Sequence, residues 1–154
     1  MALGRGNLPA AARLLEKSLA VFRREGDPKL QVNALTDLGI AYQSAGDLAA
    51  SERRLHEARL LTLSMGEQRM GAVVSLNLGN VLLVKGELDA ASEMFEEALV
   101  VFRDVQDDQS AATALSNLAV VDLGRGHTQP GSARVRESIV LLARPTTGSE
   151  WRTP

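Results

Sequence analysis

The sequence predicts an all-α fold, an array of antiparallel helix pairs with about seven helices. Three observations predict this fold. Glycine recurs every 40 residues, at Gly6, Gly46, Gly86 and Gly126, and a fixed period of this length is typical of repeat arrays. Aromatic residues make up only 3% of the chain, whereas alanine and leucine are abundant, which suits closely packed helices. Between the glycines, apolar residues recur with the spacing of amphipathic helices. Such arrays offer an extended surface rather than a closed pocket.

The second predicted helix shows how each element is delimited. Asp27 is a suitable N-cap and Pro28 suits the first helical position. Gly46 can adopt the left-handed conformation that ends a helix, and Asp47 can cap the helix that follows. The apolar or small stripe between these signals consists of Leu35, Leu38, Gly39 and Tyr42. The same pattern predicts helices over about 8–25, 28–45, 48–65, 68–85, 88–105, 108–125 and 130–143.

Alternate helices place small and large residues on one face, so that neighbouring helices can interlock. In the fifth helix this face carries Leu88, Ala91, Phe95, Ala98, Leu99 and Phe102. We therefore expect Phe95 to be buried between repeats, and a close helix crossing at Gly39 and Gly79. We expect residues 1–144 to form one array, with a partial first repeat and about three further units, of which the last is degraded. Residues 145–154 contain Pro, Thr, Gly and Ser without periodicity, and we expect them to be disordered.

Composition argues against several classes of function. The formal net charge is −2, which argues against a nucleic-acid partner. Cysteine is absent, and neither an apolar signal segment nor a membrane-length apolar run is present. We therefore expect a cytoplasmic protein without a membrane partner. His56 and His127 do not have the spacing of metal ligands, and no phosphate-binding glycine loop is present. We expect no catalytic residue, no cofactor and no metal.

Two patterns resemble the tetratricopeptide repeat. They are Leu35-x2-Leu38-Gly39-x2-Tyr42 on a first helix and Ala91-x3-Phe95-x2-Ala98 on a second helix. The 40-residue period exceeds the usual length of roughly 34 residues. It resembles that of kinesin-light-chain-type repeats and of the C-terminal repeats of bacterial ATPase/LuxR-type or maltose-regulator-type signalling proteins. HEAT and armadillo arrays have a similar period, but the glycine between helices and the Leu-Gly-x2-Tyr stripe favour the tetratricopeptide repeat.

The resemblance implies a right-handed superhelical solenoid whose first helices line a concave groove. Asp37, Asn77 and Asn117 lie 40 residues apart on these helices, and an asparagine amide can both donate to and accept from a peptide backbone. The alternative is that these side chains satisfy local backbone groups or face water. A carboxylate-clamp groove is less favoured, because its lysine position holds Thr36, Leu76 or Ser116. The candidate ligand-binding residues are Asn33, Asp37, Ile40, Gln43, Asn77, Asn80, Asn117 and Val120.

The leading functional hypothesis is a non-catalytic module that binds a protein or peptide segment in the groove. Such a module would be regulatory or scaffolding, and part of a larger bacterial signalling regulator. The alternative is a small-molecule-sensing domain of a transcriptional regulator. The register also places Met1 in the middle of a first helix. We therefore expect an open N-terminal edge, with Leu14 partly uncovered and available for self-association.

Overall fold

The computed structural model describes residues 8–145 and places seven α-helices in this range. They are α1 (Leu8–Glu25), α2 (Pro28–Ala45), α3 (Leu48–Met65), α4 (Gln68–Val84), α5 (Leu88–Asp104), α6 (Asp108–Gly124) and α7 (Thr128–Leu142). The predicted all-α array is confirmed. Helix α7 begins two residues earlier than expected because Pro130 is accommodated in the first turn, where backbone N–H groups have no partner within the helix. Gly6, the segment around Met1 and the predicted tail after residue 145 lie outside the described residues.

Short turns with the expected chemistry separate the helices. The Asp27 carboxylate accepts a hydrogen bond from the Leu30 backbone N–H at 3.1 Å, and Asp47 accepts one from Ala50 at 3.0 Å. Gly46 ends α2 in the left-handed conformation, with φ 83°. Gln106 has φ 57° where the equivalent turns contain glycine, so this turn carries backbone strain that the others avoid.

The array has an inner and an outer layer of helices. Each helix packs against its neighbours in the chain, and in addition α2 contacts α4 and α4 contacts α6. Within the described residues, the backbones of α1, α3, α5 and α7 do not approach one another in this way. The stack is therefore shorter on the α2–α4–α6 side, which makes that side concave, and clefts open between the outer helices.

Close crossings between inner and outer helices form the core. A Cβ atom added at Gly79 would lie 2.5 Å from Cε1 of Phe95, and one added at Gly39 would lie 2.5 Å from Cγ of Leu55. Phe95 is completely buried. The two glycines therefore admit large side chains from the following helices, and both packing predictions are confirmed.

Ion pairs bridge the outer helices where their backbones separate. Arg54 pairs with Glu16 at 2.6 Å, which joins α3 to α1, and Arg59 pairs with Glu97 at 2.7 Å, which joins α3 to α5. The remaining bridges between outer helices are Arg23–Glu57, Arg103–Glu137 and Arg134–Glu96. Exposed pairs of this kind contribute at most about 1 kcal/mol each to stability. Packing between inner and outer helices therefore dominates the stability of the array.

Candidate functional site

The concave side of the array presents one stripe from each inner helix, and together we call these stripes the inner face. Helical spacing of three or four residues places the members of each stripe on one side of the helix. The stripes are Asn33, Asp37, Ile40 and Ser44 on α2; Val73, Asn77, Asn80 and Val84 on α4; and Thr113, Asn117, Val120 and Gly124 on α6. Seven of the eight predicted binding residues belong to this face.

The eighth predicted residue, Gln43, lies about a third of a turn away from Asp37 around α2. It is half-buried, at the position that Leu83 occupies on α4. Sequence reasoning also omitted Val84, which is 62% exposed and four residues beyond Asn80. Extending the Val73–Asn77–Asn80 spacing by one more turn would have found it.

An amide pair joins two of the inner helices, α4 and α6, on the inner face. The Asn117 side-chain Nδ2 donates a hydrogen bond to Oδ1 of Asn80 at 2.9 Å, which links α6 to α4. Both side chains are half-buried. Neither amide makes another hydrogen bond to residues 8–145, so Asn80 retains its N–H donors and Asn117 retains its carbonyl acceptor.

Asn77 and Asp37 occupy the same register as Asn117 but have different surroundings. The Asn77 Nδ2 donates to the Val73 backbone carbonyl on its own helix at 3.0 Å, which leaves its side-chain oxygen available. Asp37 is exposed and is the one charged residue among the stripes of the inner face. The three positions therefore do not form a uniform ladder, because one side chain bonds its own helix and one bonds a neighbouring helix.

Exposed aliphatic side chains surround the amide pair. Val120 is 51% exposed and Ile40 is 43% exposed, and Val84 lies on the same face. Together with a single carboxylate, these residues form a nearly uncharged surface that offers hydrogen bonding and apolar contact. Within residues 8–145, no group of three or more His, Cys, Asp or Glu side chains could hold a metal ion. None of the described helices is long and apolar enough to cross a membrane.

Family comparison agrees with this architecture. Models described as tetratricopeptide repeat match residues 72–138 and residues 32–57, which together make up more than half of the chain. The chain belongs to the tetratricopeptide repeat family. A comparison with curated protein sequences found no significant match to this repeat protein.

Two solved structures of tetratricopeptide-like repeat arrays resemble this one. BtubC (BKLC) from P. vanneervenii superposes with a TM-score of 0.82 at 20% identity, covering 90% of this chain and 57% of that one. A kinesin-light-chain-like protein with nearly identical TPR-like repeats from Podosopora anserina superposes with a TM-score of 0.70 at 16% identity, covering 92% and 70%. At these identities the likeness concerns the fold. The present chain spans less than two thirds of the length of BtubC.

Proposed function

We propose that this tetratricopeptide repeat chain is a non-catalytic interaction module that holds an extended, largely uncharged segment of a partner protein across α4 and α6. The observation that carries the proposal is the Asn80–Asn117 amide pair, which spans two inner helices on the concave side. The family assignment supports the coarser function, a protein-interaction or scaffold module.

The amide pair suits recognition of a peptide backbone. An extended peptide presents N–H donors and C=O acceptors at its edges, and the pair retains Asn80 donors and an Asn117 acceptor side by side. Their mutual hydrogen bond holds the two side chains in place before binding, which lowers the entropy lost when a ligand is bound. Val84 and Val120, both exposed, can contact small apolar side chains of the segment.

The charge of the inner face narrows the ligand further. Asp37 is the one charged residue among the stripes of the inner face, so this face lacks the basic groups that an acidic peptide or a C-terminal carboxylate needs. The uncharged amides and exposed valines favour a neutral segment with small aliphatic residues.

Peptide display against the wild-type chain, followed by calorimetric titration of variants, tests the proposal. Replacing both Asn80 and Asn117 by alanine removes two potential hydrogen bonds, each worth about 0.5–1.5 kcal/mol. We expect affinity to fall about 5-fold or more, with an unchanged melting temperature. Gln129→Ala is the matched control, because it removes an exposed amide from outer helix α7. Equal affinities for the double variant and the control would contradict the proposal.

We also propose that the exposed apolar side of α1 mediates self-association. The predicted exposure of Leu14 is confirmed, since this side chain on α1 is 66% exposed. Val21, seven residues further along the same face of α1, is also exposed, and grouped exposed apolar side chains mark interaction surfaces. We expect Leu14→Glu to lower the apparent mass in sedimentation at high concentration. Leu60→Glu on α3 is the control, because Leu60 is 67% exposed. A wild-type chain that stays monomeric throughout would overturn this proposal.

The regulatory context is a further part of the proposal. We infer, from the resemblance of the 40-residue repeats to those of bacterial signalling proteins, that the module acts as part of a larger regulatory or scaffold protein. An ATPase or DNA-binding domain in the same reading frame would support this inference. A stop codon directly before Met1 and another directly after Pro154 in the natural gene would contradict it.

A further inference from the structure

A cleft lies on the convex side of the array, opposite to the inner face. It opens between α3 and α5 and has a volume of about 900 Å³. Its floor is the start of α4, at Gly71 and Ala72, and its walls include Leu63 on α3 and Val100 on α5. This volume falls within the range of ligand-binding clefts, roughly 300–1,000 Å³. We call it the outer cleft.

Two small residues face each other in this cleft, and one of them, Thr62, distinguishes it from its equivalents in the neighbouring repeats. Thr62 occupies the position of Phe22 in the preceding outer helix and Phe102 in the following one, each 40 residues away. Gly71 occupies the position of Gln31, whose side chain donates to the Phe22 carbonyl at 3.3 Å. Thr62 and Gly71 face each other, since a Cβ added at Gly71 would lie 3.2 Å from Oγ1 of Thr62. The repeat that forms the outer cleft therefore lacks a phenyl ring found on either side of it.

Apolar residues form the rim of the outer cleft. Leu63 and Val100 are large aliphatic side chains, both exposed, on opposite walls. Val101, half-buried, continues the apolar wall on α5. A large apolar side chain that enters the cleft can therefore contact Leu63 on one side and Val100 on the other.

The charged residues that line the cleft are mostly acidic. They comprise Glu67, Glu97 and Asp104, against a single base, Arg103. Glu67, Glu97 and Arg103 are each paired, with Lys29, Arg59 and Glu137 respectively. Asp104 forms no ion pair with any of residues 8–145. Its carboxylate on the rim of the outer cleft therefore attracts positive charge.

We propose that the outer cleft is a second docking site, which takes a phenylalanine-sized side chain from a basic segment of a partner protein. The apolar part of the segment occupies the space above Thr62 and Gly71, between Leu63 and Val100. A flanking lysine or arginine side chain pairs with the Asp104 carboxylate. This site is separate from the inner face, so the module can bind one segment on each side.

A pair of short peptides serves as the probe. Acetyl-Lys-Lys-Phe-Lys-Lys-amide is titrated into the ¹⁵N-labelled chain, followed by the same peptide with alanine in place of phenylalanine. We expect the phenylalanine peptide to shift the backbone signals of Thr62, Gly71 and Val100, with a dissociation constant on the order of 1 mM. The alanine peptide should bind more weakly. Equal shifts with both peptides, or shifts confined to the inner face, would overturn the proposal.

Two exposed valines at the same register provide a matched pair of variants. Val100 is 65% exposed in the outer cleft and Val140 is 58% exposed on α7. We expect Val100→Gln to weaken binding of the phenylalanine peptide about 3- to 10-fold, because an apolar contact is lost, and Val140→Gln to leave it unchanged. Equal binding of the peptide by both variants would contradict the proposal that it occupies the outer cleft.

The Asn80 and Asn117 double variant should bind this peptide normally. A failure of the outer-cleft proposal is therefore distinguishable from a failure of the inner-face proposal.

Discussion

The middle repeat (α4 and α5) and the last repeat (α6 and α7) have different residues where the inner helix crosses the outer helix. In the middle repeat Gly79 admits Phe95, which is 0% exposed. In the last repeat the equivalent residues are Ala119 and Val135, and Val135 is 40% exposed. A larger residue on the inner helix therefore accompanies a smaller one on the outer helix. The comparison indicates that the glycine on the inner helix is what allows a large outer side chain to be fully buried at the crossing.

The two repeats differ more strongly on their C-terminal sides. Leu99 on α5 is 2% exposed, whereas its equivalent on α7, Ile139, is 60% exposed. Helix α6 packs against α5, and no further helix follows α7 among the described residues. An apolar residue at this register is therefore buried by the next repeat and not by its own. This dependence on neighbours makes stability in such an array approximately a sum of repeat and interface terms.

The largest expected difference between the two repeats comes from truncating the outer residue at each crossing. Phe95→Ala should lower the free energy of unfolding by about 3–5 kcal/mol, because it leaves a cavity against Gly79. Val135→Ala should cost less than about 1 kcal/mol, since Val135 is already partly exposed. Urea denaturation measures both. Similar losses for the two variants would show that the crossings are equally packed.

Exchanging the inner residues sharpens the comparison. Gly79→Ala should cost about 1–3 kcal/mol through overpacking against the buried Phe95 ring, partly offset by the roughly 1 kcal/mol gain in helix propensity. In a Phe95→Val background, which reproduces the residue type of the last repeat, the same change should be neutral or stabilising. A double-mutant cycle measures this coupling. Additive effects would refute the coupling between the two positions.

The N-termini of α5 and α6 provide a smaller contrast. Asp107 caps α6, because its carboxylate accepts hydrogen bonds from the Ser110 backbone N–H at 3.0 Å and the Ser110 hydroxyl at 2.9 Å. Glu87 precedes α5 without such a bond. Asp107→Ala should therefore cost about 1 kcal/mol in urea denaturation at pH 7. Glu87→Ala should lower stability by less. An equal loss of stability in the two variants would show that the Asp107 cap does not stabilise α6.

The contribution of Asp107 should depend on pH. Burial raises the pKa of Asp107, but the hydrogen bonds from Ser110 and the Arg69 guanidinium outweigh this effect and lower the pKa below its ordinary value. The folded state therefore favours the carboxylate. Its stabilisation is full above the unfolded pKa of about 3.9 and is lost as the pH falls through the folded pKa. The gap between wild type and Asp107→Ala should narrow below about pH 4, and a constant gap would contradict this assignment.

The smallest expected effect concerns the turn that joins the two repeats. Gln106 adopts φ 57°, a conformation that costs a residue with a side chain about 1–2 kcal/mol. Glycine would avoid this cost, but its greater flexibility in the unfolded chain would offset roughly 0.5–1 kcal/mol of the stabilisation. Gln106→Gly should raise the melting temperature slightly. Gly66→Gln at the equivalent turn should lower the melting temperature, because Gly66 has φ 68°. No atom lies near an added Cβ there, so the cost comes from backbone strain and not from a steric clash. A Gln106→Gly variant of unchanged or reduced stability would show that the turn is not strained.

Sequence reasoning succeeded where the determining chemistry is local or strictly periodic. The Asp27 and Asp47 caps, the left-handed Gly46 and the 40-residue period located the helices to within a few residues. Burial of Phe95 followed from the alternation of large and small residues. Each of these features depends on neighbours in the chain or on a repeated register.

The hydrogen bonding of the candidate site could not be predicted in the same way. The Asn117–Asn80 bond depends on the distance and rotation between α4 and α6, which residue spacing within one helix does not determine. The bond from Asn77 to Val73 depends on a choice of rotamer. Alignment of the repeats could reveal the small residues Thr62 and Gly71, but the volume of the outer cleft follows only from the separation of α3 and α5.

The most direct test of the central claim observes the side-chain amides themselves. Peptides selected by display against the wild-type chain are added to the ¹⁵N-labelled protein, and the side-chain NH₂ signals of asparagine and glutamine are followed by NMR. The account predicts that the signals of Asn80 and Asn117 shift together with saturation, while the signal of Gln129 on α7 stays in place. If selected peptides bind while the Asn80 and Asn117 signals remain unchanged, the inner face is not the binding surface.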